Sequence, residues 1–136
     1  MADTDHSEER KRILFDKGTE RPGSGALLNM NDEGDYLCGN CGAKLFDSSA
    51  KYDSQTPGLI GWPSFDTAVE GAIKEVEDNS MFMKRTETLC ANCGVHLGHV
   101  FPADDAPTGT HYCINSASID FESADGSKKI KGDGSA

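Results

Sequence analysis

Five cysteines and four histidines hold most of the reactive potential of this 136-residue chain. Four of the cysteines lie in two copies of one short pattern, C-x-N-C-G-x-x-L. The first runs Cys38-Gly39-Asn40-Cys41-Gly42-Ala43-Lys44-Leu45, and the second runs Cys90-Ala91-Asn92-Cys93-Gly94-Val95-His96-Leu97. Two thiolates separated by two residues can face a single ion from a tight turn. Glycine after the second cysteine permits a positive φ where the chain reverses. Two such turns supply the soft ligands of a closed tetrahedral site, so Cys38, Cys41, Cys90 and Cys93 are predicted to hold one structural Zn2+. A single C-x-x-C also suits a redox dithiol, and four thiolates also suit iron. The duplication favours a metal, and nothing else in the chain suggests electron transfer. Disulfides need an oxidising compartment, for which the sequence offers no sign. The long segment between the pairs predicts a site that ties two halves of one sheet together, and whose removal loosens the domain.

The fifth cysteine, Cys113, has no such partner and lies in Thr110-His111-Tyr112-Cys113-Ile114-Asn115-Ser116-Ala117. A structural cysteine in a strand is one reading; a nucleophile is the other. On a strand Cys113 and Asn115 share a face, which places the Asn115 amide near the sulfur or its substrate. His96, His99 and His111 are close in sequence, and a histidine can lower a thiol pKa or deliver a proton near neutral pH. His96 and His99 are three apart, so a regular strand would turn them to opposite faces. Both reach one pocket only if Gly98 allows a bulge or bend. The single tryptophan, in Gly61-Trp62-Pro63-Ser64-Phe65, is either core or one wall of a small apolar pocket.

These residues must be positioned by short elements. Residues 1–17 form an N-terminal segment in which Glu8, Glu9, Arg10, Lys11 and Arg12 suit a short helix, ahead of an apolar patch at Ile13, Leu14 and Phe15. Residues 18–35, with Pro22 and several glycines, suggest loop and turn. Residues 36–121 alternate short apolar stretches with Gly, Pro, Asn and Asp; Lys74–Glu77, Lys84–Leu89, His96–Phe101 and His111–Phe121 are examples. That pattern predicts short antiparallel strands. The domain is placed at 18–122, and 123–136 is expected to be a solvated, flexible tail. A net charge of −10 argues against a nucleic-acid partner, which needs clustered Lys and Arg. Solubility and adaptation to high salt both explain such acidity. No apolar run approaches the roughly 20 residues that span a bilayer, and the acidic start does not read as a secretory signal, so a cytoplasmic protein is expected.

Taken together, the motifs resemble the methionine sulfoxide reductase B, or SelR, family. The resemblance extends from Gly18-Thr19-Glu20-Arg21-Pro22 to Phe121 with motifs in the family's order. It includes Tyr36-Leu37-Cys38-Gly39-Asn40-Cys41-Gly42, Leu45-Phe46-Asp47-Ser48, Lys51-Tyr52-Asp53-Ser54, Gly61-Trp62-Pro63-Ser64-Phe65, Arg85-Thr86-Glu87, His96-Leu97-Gly98-His99-Val100-Phe101, Pro107-Thr108-Gly109 and Tyr112-Cys113-Ile114-Asn115-Ser116-Ala117. It implies a mainly β fold, with zinc-stapled antiparallel sheets of the Mss4-like (β-tent) type and a short N-terminal helical segment. It further implies reduction of methionine-R-sulfoxide in peptides or proteins by a monomer. Cys113 matches the catalytic cysteine, and His96, His99 and Asn115 match polar site residues. Trp62 matches the tryptophan that packs on the substrate methyl group, and Phe65 and His111 are expected beside the substrate.

The chain departs from the family in three places. Ile60 stands where many members have a resolving cysteine, which implies a one-cysteine enzyme served by thioredoxin, glutaredoxin with glutathione, or another thiol. His111 stands where Arg is common, and Ala103 where an acid is common, with Asp104 and Asp105 following. The histidine predicts a more pH-dependent rate than in Arg-bearing members. A non-catalytic binding module of the same fold and a thiol sensor are the competing readings. Cys113 and its histidines weigh against the former, and turnover of a sulfoxide would exclude the latter.

Overall fold

Alternation of buried and exposed side chains builds most of this structure, a computed structural model that describes residues 8–16, 27–28, 30, 32–52, 62–78, 85–102 and 108–132. The strands are β1 (Gly34–Cys38), β2 (Lys44–Asp47), β3 (Lys51–Tyr52), β4 (Ser64–Phe65), β5 (Ile73–Asp78), β6 (Arg85–Cys90), β7 (His96–Pro102), β8 (Thr110–Ile114), β9 (Ile119–Ser123) and β10 (Lys129–Lys131). They form two antiparallel sheets, a four-stranded one ordered β10-β9-β1-β2 and a six-stranded one ordered β3-β4-β8-β7-β6-β5. The mainly β architecture with one short helix agrees with the sequence reading.

Aromatic residues from both sheets meet in the core. In β1, Gly34, Tyr36 and Cys38 point inward at the period of two that a pleated strand imposes. Tyr36 meets Phe65 edge-on at 4.9 Å, and Phe46 stacks on Phe65 at 4.2 Å. Such pairs add about 0.5–1.5 kcal/mol each beyond the area they bury.

The helix α1 (Glu8–Asp16) is too short to persist alone and depends on tertiary contacts. Arg10, Ile13 and Leu14, spaced for one helix face, are all buried. Arg10 supplies a polar anchor. Its Nε donates to the Ala117 carbonyl at 2.9 Å, and its Nη2 donates to the Ile119 carbonyl at 3.1 Å and to Asp120 Oδ1 at 2.6 Å. A buried guanidinium satisfied in this way joins α1 to the 3₁₀ turn Ser116–Ser118, which follows β8.

Two expectations are corrected. The stretch His111–Phe121, taken as one apolar run, is two strands in different sheets, β8 and β9. The chain crosses between them at Asn115 and the 3₁₀ turn, whose three residues are all buried. The expected tail at 123–136 contains β10, which pairs with β9 so that Ile130 lies opposite Phe121. Beyond it, the Gly132 N–H donates to the Ile119 carbonyl at 2.9 Å. The physical reason is a tight hairpin turn. Asp125 accepts from the Ser127 N–H at 3.0 Å, and Gly126 takes φ 77°. An Asp-Gly turn signal outweighs the lysine-rich composition of the returning strand.

Candidate active site and metal centre

Each cysteine pair ends a strand and turns into the next one with the same bonds. In the first turn the Cys38 N–H donates to the Ala43 carbonyl at 2.8 Å, and the Gly42 N–H to the Cys38 carbonyl at 2.9 Å. In the second, the Cys90 N–H donates to Val95 at 3.0 Å, and Gly94 to Cys90 at 2.7 Å. Gly42 and Gly94 have φ of 83° and 85°, where a Cβ would be strained. The backbone N–H groups of Asn40 and Cys41 point at Cys38 Sγ at 3.4 and 3.5 Å, as suits a thiolate.

The four sulfurs converge within 4.8 Å of one another. Cys38 and Cys93 are 3.6 Å apart at Sγ, and so are Cys41 and Cys90. A tetrahedral ion with sulfur bonds of about 2.3 Å would separate its ligands by about 3.8 Å, so this donor set fits a metal ion. Burial pushes the Cys38 and Cys90 thiols up. Burial acts the same way at Cys41, but hydrogen bonds from the Asn92 side chain, the Ala43 backbone and neighbouring thiols outweigh it and bring Cys41 down to about 7. The site joins the β1–β2 hairpin of one sheet to the β6–β7 hairpin of the other. It therefore staples two sheets together, where the sequence spacing had suggested two halves of one.

Cys113 lies half-buried on β8 in the middle of the six-stranded sheet. Its cross-strand partners are His99 on β7 and Ser64 on β4. Directly opposed residues share a sheet face, and the register extends this row in both directions. Tyr52, Ser64, Cys113, His99, Glu87 and Val76 follow one another across β3, β4, β8, β7, β6 and β5.

His96 joins that face through a bulge. On β6 the partners step from Thr88↔Gly98 to Leu89↔His96, which leaves Leu97 as the extra residue on β7. Glu87 and Leu89 are two apart, so their partners His99 and His96 point the same way, with ring centroids 5.7 Å apart. Asn115 secures the bulge, since both its backbone N–H, at 2.9 Å, and its side-chain Nδ2, at 3.2 Å, donate to the Leu97 carbonyl. Only glycine fits at 98, because a Cβ there would stand 2.1 Å from the Cys113 carbonyl oxygen.

The other expected site residues divide. His111, two residues before Cys113 and on its face, is fully buried with the Tyr52 ring 5.5 Å away. Trp62 is half-buried just ahead of β4, and its carbonyl accepts from Ser64 Oγ at 3.2 Å. Phe65 was expected beside the substrate. It is adjacent to Ser64 on a strand, so it points to the opposite face and is wholly committed to the aromatic core. The positions of Ile60, Ala103, Asp104, Asp105 and the motif at 18–22 lie outside the described residues.

Sequence reasoning gave no role to the acidic residues behind the histidines. His96 Nδ1 lies 2.8 Å from Glu87 Oε2, and His99 Nε2 lies 2.8 Å from Asp78 Oδ2. Arg85 makes a second contact to the same Asp78 oxygen at 3.2 Å. Glu87 and Arg85 stood in the family-like Arg85-Thr86-Glu87 motif without a role, and Asp78 was only an acidic residue on a strand of unknown register. The assembled face presents a thiol, two carboxylate-linked imidazoles and aromatic side chains, which suits a nucleophilic attack coupled to proton transfer. Among the described residues, no helix is long and apolar enough to cross a membrane.

The chain is similar to a described family and to named proteins over most of its length. The SelR domain matches residues 6–123 of the chain. A protein of Thiobacillus denitrificans named peptide methionine sulfoxide reductase MsrB is 50% identical over 120 residues, which are 88% of each chain. One of the same name from Saccharophagus degradans is 50% identical over 115 residues, 84% of this chain and 83% of that protein. Another from Variovorax paradoxus is 54% identical over 128 residues, 84% of this chain and 91% of that protein.

Proposed function

The chain belongs to the SelR, or methionine sulfoxide reductase B, family, and we propose that it reduces the R epimer of methionine sulfoxide through a Cys113 sulfenic acid. It is an oxidoreductase that acts on peptide methionine sulfoxide. One observation carries the mechanistic reading: Cys113 has His99 as its direct cross-strand partner, and His96 is turned onto the same face.

The Cys113 thiolate attacks the sulfoxide sulfur. The oxygen is a poor leaving group until it takes a proton, which His96 or His99 supplies as general acid. Loss of that oxygen as water leaves Cys113 bonded to a methionine sulfonium; water then adds to the Cys113 sulfur as this S–S bond breaks, which releases methionine and leaves a sulfenic acid. A first external thiol displaces water from that sulfenic acid to give a mixed disulfide, and a second thiol releases Cys113. All the remaining cysteines lie in the metal cluster, which favours an external reductant: thioredoxin, glutaredoxin with glutathione, or another cytoplasmic thiol acting on the monomer. Trp62 would hold the substrate methyl group and select the epimer by orientation. Asn115 and the buried His111 support the face around Cys113. Cys38, Cys41, Cys90 and Cys93 would hold a zinc ion, which would supply structural closure rather than chemistry.

The test is turnover of the separate R and S epimers of a capped methionine sulfoxide with excess dithiothreitol, alongside Cys113→Ser. R-selective turnover that vanishes in the variant is expected. Absence of turnover by folded, metal-loaded protein, or turnover that survives in Cys113→Ser, would overturn the assignment.

A further inference from the structure

Resting on that reading, the geometry points to Glu87 and Asp78 as positioning residues that fix the two catalytic histidines in opposite tautomers. Glu87 faces Nδ1 of His96, and Asp78 faces Nε2 of His99, each at 2.8 Å. An ionised carboxylate only accepts hydrogen bonds, so the nitrogen that faces it carries the hydrogen. His96 is therefore held as its Nδ1–H form and His99 as its Nε2–H form. Proton exchange with substrate then falls to the nitrogens turned away from the carboxylates, the buried Nε2 of His96 and Nδ1 of His99.

These pairings cross the register. Glu87 is directly opposite His99, yet it bonds diagonally to His96. His99 reaches instead to the last residue of the edge strand β5, where Asp78 is paired with Arg85. The Leu97 bulge makes both pairings possible by bringing His96 and His99 to one face. The His96 and Glu87 side chains are only 3% and 5% exposed. Burying such a pair contributes little net stability compared with apolar residues of similar volume, so its benefit lies in holding an imidazole. When a protonated His96 or His99 gives up the hydrogen of the nitrogen turned away from its carboxylate, that N–H bond breaks and an O–H bond forms on the sulfoxide oxygen. The ring returns to neutral with its remaining hydrogen still on the carboxylate. Each carboxylate thus stabilises the charged ring before transfer and preserves its orientation afterwards, as the aspartate of a catalytic triad does.

The experiment uses the metal-loaded, 15N-labelled full chain. Long-range 15N–1H spectra at a pH where the imidazoles are neutral are expected to show His96 as Nδ1–H and His99 as Nε2–H. Glu87→Gln and Asp78→Asn should each lower kcat on the capped R-sulfoxide by about tenfold or more, with KM little changed. In a His96→Asn background, Glu87→Gln should cost nothing further. Mixed or reversed tautomers in the unsubstituted protein, or kcat within twofold in both variants, would overturn the proposal. Failure of the unsubstituted protein to turn over would overturn the reductase reading instead, and the tautomers would still decide this one.

Discussion

The four clustered sulfurs and the lone Cys113 sulfur are assembled by different kinds of order. Each half of the cluster is closed within one contiguous turn, from Cys38 to Ala43 and from Cys90 to Val95, by the same pair of backbone bonds. Tertiary structure has only to bring two finished halves together. The Cys113 face has no finished half. Its row draws single residues from six strands, and its second histidine arrives only because one residue of β7 is left out of register. Local chemistry thus specifies the metal site, whereas pairing between distant strands specifies the reactive face.

Removing the metal tests that contrast most severely. A structural zinc contributes on the order of 10 kcal/mol or more to folding, so a strong chelator should abolish near-UV circular dichroism and turnover together. A fold that persisted without metal would show that the two sheets hold each other unaided. Acid should act in the same direction. Burial raises the Cys38 and Cys90 thiols, so both carry protons at neutral pH in the metal-free protein, and the ion must displace them. Affinity therefore falls as pH falls, by about tenfold per unit for each proton displaced. Below about 7 the Cys41 proton joins the competition and steepens the loss. Chelator competition between pH 6 and 8 measures the slope; a flat response would mean that the thiols are already ionised.

Next comes Cys113→Ser, which should reduce turnover by about a thousandfold or more while metal content and melting temperature stay near those of the unsubstituted protein. A parallel loss of metal would join two sites that are separate here. Smaller effects are expected from two glycines. Gly98→Ala drives a Cβ into the Cys113 backbone and should cost about 3 kcal/mol, with lost activity, because neither strand can yield without moving the bulge. Gly42→Ala meets nothing within 4 Å and suffers only from its φ of 83°, so about 1 kcal/mol is expected. Urea midpoints of the two variants compare them. Equal losses would contradict the division between local and distant order.

The same division governs what could be read from the residues alone. The candidate metal ligands, the short helix and the strand-rich middle follow from patterns spanning a few residues. The Asp-Gly turn before β10 was also legible, but lysines and a single isoleucine masked the strand that follows. Phe65 illustrates the opposite limit. A motif names both Ser64 and Phe65, but only strand parity assigns one to the reactive face and the other to the core. Arg10 appeared as one charge in a polar helix, and only folding surrounds it with the carbonyls of Ala117 and Ile119.

The sequence by itself named the candidate atoms: four thiols spaced to hold a metal, a fifth proposed to attack a sulfoxide, and histidines proposed to move a proton. It also stated a condition, that His96 and His99 share a face only if the strand bulges near Gly98. Tertiary structure decided that the bulge falls at Leu97, that Asn115 holds it, and that Glu87 and Asp78 stand behind the two rings. The reason is the geometry of a β-sheet. Side chains alternate along a strand, so a shift of one residue reverses every face, and that register is set by partners far away in the chain.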